Sequence, residues 1–169
     1  MSTSNFNIRP ANIIDMPKVA SIVSSSADWY EKFVHPDDMD QHDVGIVWAL
    51  KNYFHRNFFV GETEDEVIGT ISMQEVEDYA YLGYIYLDTE HVGNGYGKKL
   101  MNFAKKQAKQ KGLKGMVLIA HPEAKWAVKA YEKFGFKCIA ETDTDVLKWN
   151  DGALEPYHEK GFRLFKYTF

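Results

Sequence analysis

Apolar and polar positions change period along this chain, and each change marks an element. Phe6-Asn7-Ile8-Arg9-Pro10 alternates with period two, as a short strand stopped by proline. Asp15 then offers an N-cap to a helix that carries Val19, Ala20, Ile22 and Val23. From Ser24 to His42 the sequence reads as irregular: Trp29, Tyr30 and Phe33 need a surface to cover, and His35-Pro36-Asp37-Asp38 is a turn signal. Val44, Val47, Trp48 and Leu50 through Phe54 predict a second helix that ends near Arg56.

Three β-rich runs follow, Asn57–Glu62, Val67–Gln74 and Tyr79–Leu87. They are joined through Thr63-Glu64-Asp65-Glu66, a hairpin signal, and the acidic turn Glu75-Val76-Glu77-Asp78, so they are expected to pair antiparallel. Lys98–Lys111 is the clearest helix, with Leu100, Phe103, Ala104 and Ala108 on one face, lysines on the other and Gly112 in the C′ position. Met116–Ala120 is continuously apolar, as in a strand covered on both faces, and its place after a helix predicts a parallel partner. A further helix spans Lys125–Phe134, closed by Gly135, and strands are expected at Phe136–Glu141 and Phe162–Phe169. Between those strands a polar excursion from Thr142 to Gly161, about 20 residues, is long enough that it should dock or shape a site. The order predicts an α/β fold: one domain over residues 1–169, with a mixed, mostly antiparallel sheet and helices on both faces.

Composition narrows the chemistry. The 45% hydrophobic and 15% aromatic content is that of a folded chain, not a disordered one. With 20 Lys and Arg against 24 Asp and Glu, a nucleic-acid-coating role is not expected, and any anion site must be local. No run approaches the ~18 apolar residues of a membrane span, and Met1-Ser2-Thr3-Ser4-Asn5 lacks a signal pattern, so the expected location is the cytoplasm, with no membrane partner. The single cysteine, Cys138, excludes an internal disulfide and a cysteine-based zinc site, and is expected at a buried strand position. The six histidines have no metal spacing, and Asp143, Asp145 and Asp151 do not form an EF-hand loop, so no metal is expected.

The stretch Tyr84 to Leu100 reads as strand, turn and helix, with glycines at 93, 95 and 97. Glycine lets backbone N–H groups approach an anion, and a helix start adds unpaired donors and a positive dipole end. A dinucleotide fingerprint starting at Gly93 would need glycine where Lys98 stands, and a Walker loop ending at Gly97-Lys98 would need glycine at Val92 and Ser or Thr at Lys99. Neither pattern is met.

The remaining pattern, Val92-Gly93-Asn94-Gly95-Tyr96-Gly97, resembles the acetyl-CoA loop of the GNAT superfamily of N-acyltransferases. Ala124-Lys125-Trp126-Ala127-Val128-Lys129-Ala130-Tyr131-Glu132-Lys133-Phe134-Gly135-Phe136 resembles that family's second motif, and the element order fits its fold over nearly the whole chain. Val92 stands where the family usually has Gln or Arg, and Ala124 where it usually has Asn. The resemblance implies acetyl-CoA as cosubstrate, with Gly93, Asn94, Gly95, Tyr96, Gly97 and Lys98 on its pyrophosphate and Leu87 and Asp88 beside it. Lys99 is a second cation that could offset Val92.

The activity so implied is acetyl transfer to a primary amine of a small molecule or peptide, by direct attack in a ternary complex. By resemblance, a backbone N–H around Leu87 stabilises the thioester oxygen and Tyr131, contacting the cofactor, protonates the departing thiolate. An alkyl amine, with a pKa near ~10.4, must first lose a proton. Glu75, Asp88 and His121 are the base candidates, Glu75 first because family members often place a glutamate on the central strands. Glu75, Glu77 and Asp78, with Trp29, Tyr30 and Phe33, would suit a cationic amine. The alternative reading is a non-catalytic acyl-CoA sensor, motivated by Val92 and Ala124. The family's frequent dimers make a homodimer an expectation, with Phe162–Phe169 as a contact.

Overall fold

The period-two runs pair into one sheet of seven strands, and two bends in the alternation decide where it opens. In the computed structural model, residues 5–30, 35, 36, 45–64 and 66–169 are described, excepting the side chains of residues 27–30. The strands are β1 (Asn7–Pro10), β2 (Asn57–Thr63), β3 (Glu66–Val76), β4 (Tyr79–Leu87), β5 (Gly115–Ala120), β6 (Lys137–Ala140) and β7 (Arg163–Thr168). Their order across the sheet is β1-β2-β3-β4-β5-β7-β6. Every neighbouring pair is antiparallel except β4 and β5, which the third helix separates in sequence. The helices are α1 (Met16–Tyr30), α2 (Ile46–His55), α3 (Tyr96–Gln110), α4 (Lys125–Phe134) and α5 (Asp143–Lys148).

Strand alternation sends side chains to two separate cores. Ile71, Met73, Ala80, Leu82, Met116 and Leu118 face α3 and α4, where Leu100, Met101 and Ala104 meet them. On the other face, Phe58, Val60 and Val67 pack on Met16, Val19, Ile22 and Val23 of α1 and on Trp48 and Ala49 of α2. Tyr81, Val117 and Leu164 continue that face under Val146 of α5 and Leu154.

Several boundaries differ from the sequence reading for local reasons. Helix α1 runs through Ser24–Tyr30, a segment expected to be irregular. The Ser25 and Ser26 hydroxyls both donate to the Ile22 carbonyl (3.0 Å each), which satisfies them inside the helix. Asp15 is not the N-cap of α1. Asn12 caps a short turn, Ile13–Asp15, and the Asp15 carboxylate accepts from the Asn12 N–H and the Arg9 guanidinium. Cys138 is exposed, because β6 is a four-residue edge strand. Strand β7 lies between β5 and β6, so both its edges are already paired. Phe33, the Asp37-Asp38 turn, Val44 and Asp65 lie outside the described residues, as do the side chains of Trp29 and Tyr30. Among the described residues no helix is long and apolar enough to cross a membrane.

Candidate active site

Strand β4 carries the geometry of the site. Ala80 and Leu82 face α3, and Tyr81 faces away. After Gly83 the phase slips: Tyr84 and Tyr86 face α1 and α2, while Ile85 and Leu87 face α3. The pairing with β3 records the slip, since Ser72 opposes Gly83 but Thr70 opposes Tyr86, so Tyr84 and Ile85 share the single partner Ile71. Tyr84 takes φ 47°, a left-handed conformation that costs a non-glycine residue of order 1–3 kcal/mol. Aromatic contacts offset the strain: Trp48 lies edge-on at 5.2 Å with its Nε1–H toward the Tyr84 hydroxyl at 3.4 Å, and Phe58 stacks at 6.0 Å.

The same stretch is where β4 and β5 part. Their parallel pairing covers Tyr79–Tyr81 against Gly115–Val117 and ends there, although β4 continues to Leu87 and β5 to Ala120. Backbone groups of the free half of β4 therefore lose their ladder partners on that side, and the bulge leaves an additional residue out of register with β3. A cavity of about 80 Å³ opens between the parted strands. It reaches both faces of the sheet: Tyr131 of α4 lines it from the α3–α4 side, and Arg56, Tyr81, Tyr157 and Glu159 line it from the other.

At the far end of β4 the chain makes the glycine turn. Gly93 and Gly95 have φ 92° and 81°, and a Cβ at either would meet nothing within 4 Å, so glycine is needed there for backbone conformation and not to avoid the protein itself. Gly95 is the N-cap of α3 without a side-chain cap, and the first helical bond runs from the Lys99 N–H to the Gly95 carbonyl at 3.2 Å. The N–H groups of Gly97 and Lys98 precede that bond and have no acceptor within the helix. No acidic side chain occupies the first turn, so the dipole end, Lys98 and Lys99 make one local positive field in a chain of net charge −4. An anionic phosphate fits this turn.

The predicted residues fall into two groups. Tyr131 lines the cleft, whereas the turn from Gly93 to Lys98 lies beyond the end of β4 and outside the cleft lining. Leu87 is paired with Gly69 and packs into the α3 core, so the backbone freed by the bulge lies nearer Tyr84 than Leu87. Asp88 is held elsewhere, capping Glu90 N–H at 3.2 Å and facing Lys18 at 3.7 Å. Glu75 is exposed and pairs with Lys111 at 3.3 Å. It sits beside the C-terminal end of α3, roughly 20 Å from the glycine turn at 1.5 Å per residue, and lines a second cavity of about 470 Å³ rather than the cleft. Asp78 pairs with Lys114 at 3.1 Å, and Glu77 occupies the turn at φ 54°. Neither lines the cleft. His121 Nδ1 accepts the Glu123 N–H at 3.1 Å, so its neutral ring carries the proton on Nε2, and burial holds its pKa below the usual imidazole range. Protonating Nδ1 would break that bond. Val92 is 64% exposed and Ala124 fully buried, and neither offers a polar side chain.

Sequence reasoning missed Arg56, Tyr81, Tyr84, Tyr157 and Glu159. One signal was available: tyrosines occupy positions 79 and 81 before Gly83 and 84 and 86 after it, which is a period-two pattern with one residue inserted. Tyr157 and Glu159 reach the cleft because the excursion docks. Leu154 and Val146 are fully buried, Tyr157 stacks on Tyr81 at 4.4 Å, and Asp143 accepts from the Gly161 N–H and contacts His158 Nε2, each at 2.9 Å. Burial pushes the Tyr81 phenol well above its usual pKa. Among the described residues no cluster of His, Cys, Asp or Glu could hold a metal ion.

Comparison with known proteins gives a consistent picture. The profile described as the acetyltransferase (GNAT) family matches residues 21–136. A curated relative, N-acetyltransferase 8 of Rattus norvegicus, is 26% identical over 98 residues, 54% of this chain and 44% of its own, so the chain spans less than half of that relative's length. Among solved structures, the PaiA N-acetyltransferase of Thermoplasma acidophilum in complex with coenzyme A superposes with a TM-score of 0.73 at 18% identity, covering 98% of this chain and 99% of that one. A GNAT-family acetyltransferase of Staphylococcus aureus Mu50 also gives 0.73, at 16% identity over 97% and 99% of the two chains.

Proposed function

Because this chain belongs to the acetyltransferase (GNAT) family, we propose that it transfers an acetyl group from acetyl-CoA to a primary amine, the two substrates meeting in the cleft between β4 and β5. The observation that carries this reading is the cavity that crosses the sheet, with Tyr131 on one side and an aromatic pocket holding Glu159 on the other. The backbone from Gly93 to Lys98 receives the pyrophosphate of the donor, which supplies the thioester. Backbone N–H groups freed at the Tyr84 bulge stabilise charge on the carbonyl oxygen during attack. Glu159, the carboxylate that lines the cleft, takes the proton that the ammonium form must lose. The amine nitrogen then bonds to the acetyl carbon, the carbon–sulfur bond breaks, the Tyr131 hydroxyl protonates the leaving sulfur, and the second proton that the nitrogen sheds as the amide forms restores the Tyr131 hydroxyl. The products are an N-acetyl amine and free thiol.

The decisive measurement is thiol release from acetyl-CoA across a panel of amines. Tyr131→Phe is expected to lower kcat by about 10- to 100-fold, the low end of general-acid effects because a thiolate is a good leaving group, while coenzyme A affinity stays unchanged. A sensor that binds acyl-CoA without turnover is the second reading, favoured by the missing polar side chains at Val92 and Ala124. Tight coenzyme A binding with no thiol release from any amine would establish it.

A further inference from the structure

Three arginines are present, and two of them meet carboxylates. Arg9 bonds Asp15 at 2.7 Å and Glu62 at 3.1 Å, and Arg163 faces Glu141 at 3.7 Å. Among the described residues Arg56 meets no carboxylate, and its guanidinium contacts are ring faces: Tyr84 at 4.7 Å and Tyr157 at 5.2 Å from the two centroids. Such faces balance part of the charge and fix the plane of the group, but they leave the in-plane N–H donors without strong acceptors.

The fold aims this side chain with some care. Arg56 is the C-cap of α2, its N–H bonded to the Asn52 carbonyl, and β2 starts at the next residue. Its side chain crosses β4 at Gly83, where a Cβ would lie 2.8 Å from Nη1 and 3.0 Å from the Ser72 hydroxyl. Glycine therefore keeps the crossing open. The Ser72 hydroxyl is fully buried, with no hydrogen-bond partner among the described residues. Arg56 also lines both the cleft and the 470 Å³ cavity, which Gln107 and Lys111 at the C-terminal end of α3 border as well.

We infer that the acceptor amine carries a carboxylate, which Arg56 holds at the junction of the two cavities while the amine reaches the cleft. This rests on the transferase reading above. A carboxylate supplies the planar acceptor that a guanidinium fork matches, and Glu159 across the same cleft suits the ammonium end. A second cationic group on the acceptor would instead meet Arg56 as a like charge. Glu75, Glu77 and Asp78, the acidic residues expected to suit a cationic amine, are absent from the cleft lining, and of them only Glu75 lines the second cavity.

The test is binding to the full chain saturated with coenzyme A, followed by calorimetry. The probes are α-amino acids, β-alanine and short dipeptides, each beside its matching carboxamide, with putrescine and spermidine for comparison. At least one acid should bind about tenfold or more tightly than its amide, as expected for a hydrogen-bonded charge pair. Arg56→Gln should reduce that ratio to about one with coenzyme A affinity unchanged, and Arg56→Lys should leave an intermediate ratio. Acids that bind no better than their amides, no binding by any acid, diamines that outbind every acid, or an unchanged ratio in Arg56→Gln would each overturn the inference. The comparison in the unsubstituted protein does not depend on how well a variant folds. Thiol release is scored separately: acids that bind selectively but are never acetylated count against the transferase reading alone.

Discussion

At the residue scale, glycine at positive φ occurs at both ends of α3 and does different things there. Gly95 (φ 81°) and Gly112 (φ 74°) have equally open surroundings, so replacing either by alanine adds the same left-handed strain, about 1–2 kcal/mol, without a clash. For a chain of this size that lowers Tm by roughly 2–8 °C. Only Gly95 lies in the proposed phosphate turn. Gly95→Ala is expected to weaken coenzyme A binding by at least about tenfold, through loss of backbone hydrogen bonds to a charged group, whereas Gly112→Ala should shift Tm alike and leave affinity unchanged. Thermal melts and calorimetry on the two variants decide it, and equal affinities would remove the turn from the binding site. The glycine turn was legible in the sequence because local spacing produces it, and Tyr131 was singled out by the resemblance of its motif. Arg56 was not, since its role depends on a strand crossing at Gly83 that sequence distance conceals. Glu75 looked suitable from its strand position and the family resemblance, and the pairing with Lys111 at the distant end of α3 is a tertiary fact.

At the scale of elements, the β4 bulge and the excursion from Thr142 to Gly161 line one side of the cleft together. Periodicity located every strand within a few residues, because burial of one face fixes the period wherever a core exists. It failed at Ser24–Tyr30, where serine hydroxyls bond the helix backbone instead of ending it, and it left the excursion without structure, because only a few buried anchors, Val146 and Leu154 among them, hold it. Asp143 closes that excursion. The Gly161 N–H, and then His158, hold its carboxyl below the usual carboxylate range. A carboxyl with a lowered folded pKa stabilises above its ordinary value of about 3.9, and that contribution is lost as pH falls through the folded pKa. The group is half exposed, so the stabilisation is about 1 kcal/mol. Asp143→Ala should therefore lower Tm at pH 7 by a few degrees, with the difference from the parent shrinking below pH 4. It should also raise KM for the amine more than for acetyl-CoA, because Tyr157 and Glu159 lie on the segment it releases. Melts across pH 3–7 and steady-state kinetics check both parts.

At the scale of the whole molecule, one parallel pair in an otherwise antiparallel sheet creates the opening. Connecting β4 to β5 through α3 makes them parallel and sets the glycine turn at the end of β4. Their separation after Tyr81 and Val117 then gives a passage with a different environment on each side. The side with α3 offers the Tyr131 phenol; the opposite side offers tyrosines, Arg56 and Glu159. On the proposed reading donor and acceptor approach from opposite faces and are bound together, and among the described residues the cleft lining includes no cysteine. Direct transfer requires both substrates on the protein before either product leaves. Initial rates at varied concentrations of both should give intersecting double-reciprocal lines, and acetyl-CoA incubated with the protein alone should release no stoichiometric burst of thiol. Parallel lines, or an acetyl group retained on the protein after the donor is removed, would mean that the passage does not serve as a meeting point for two bound substrates.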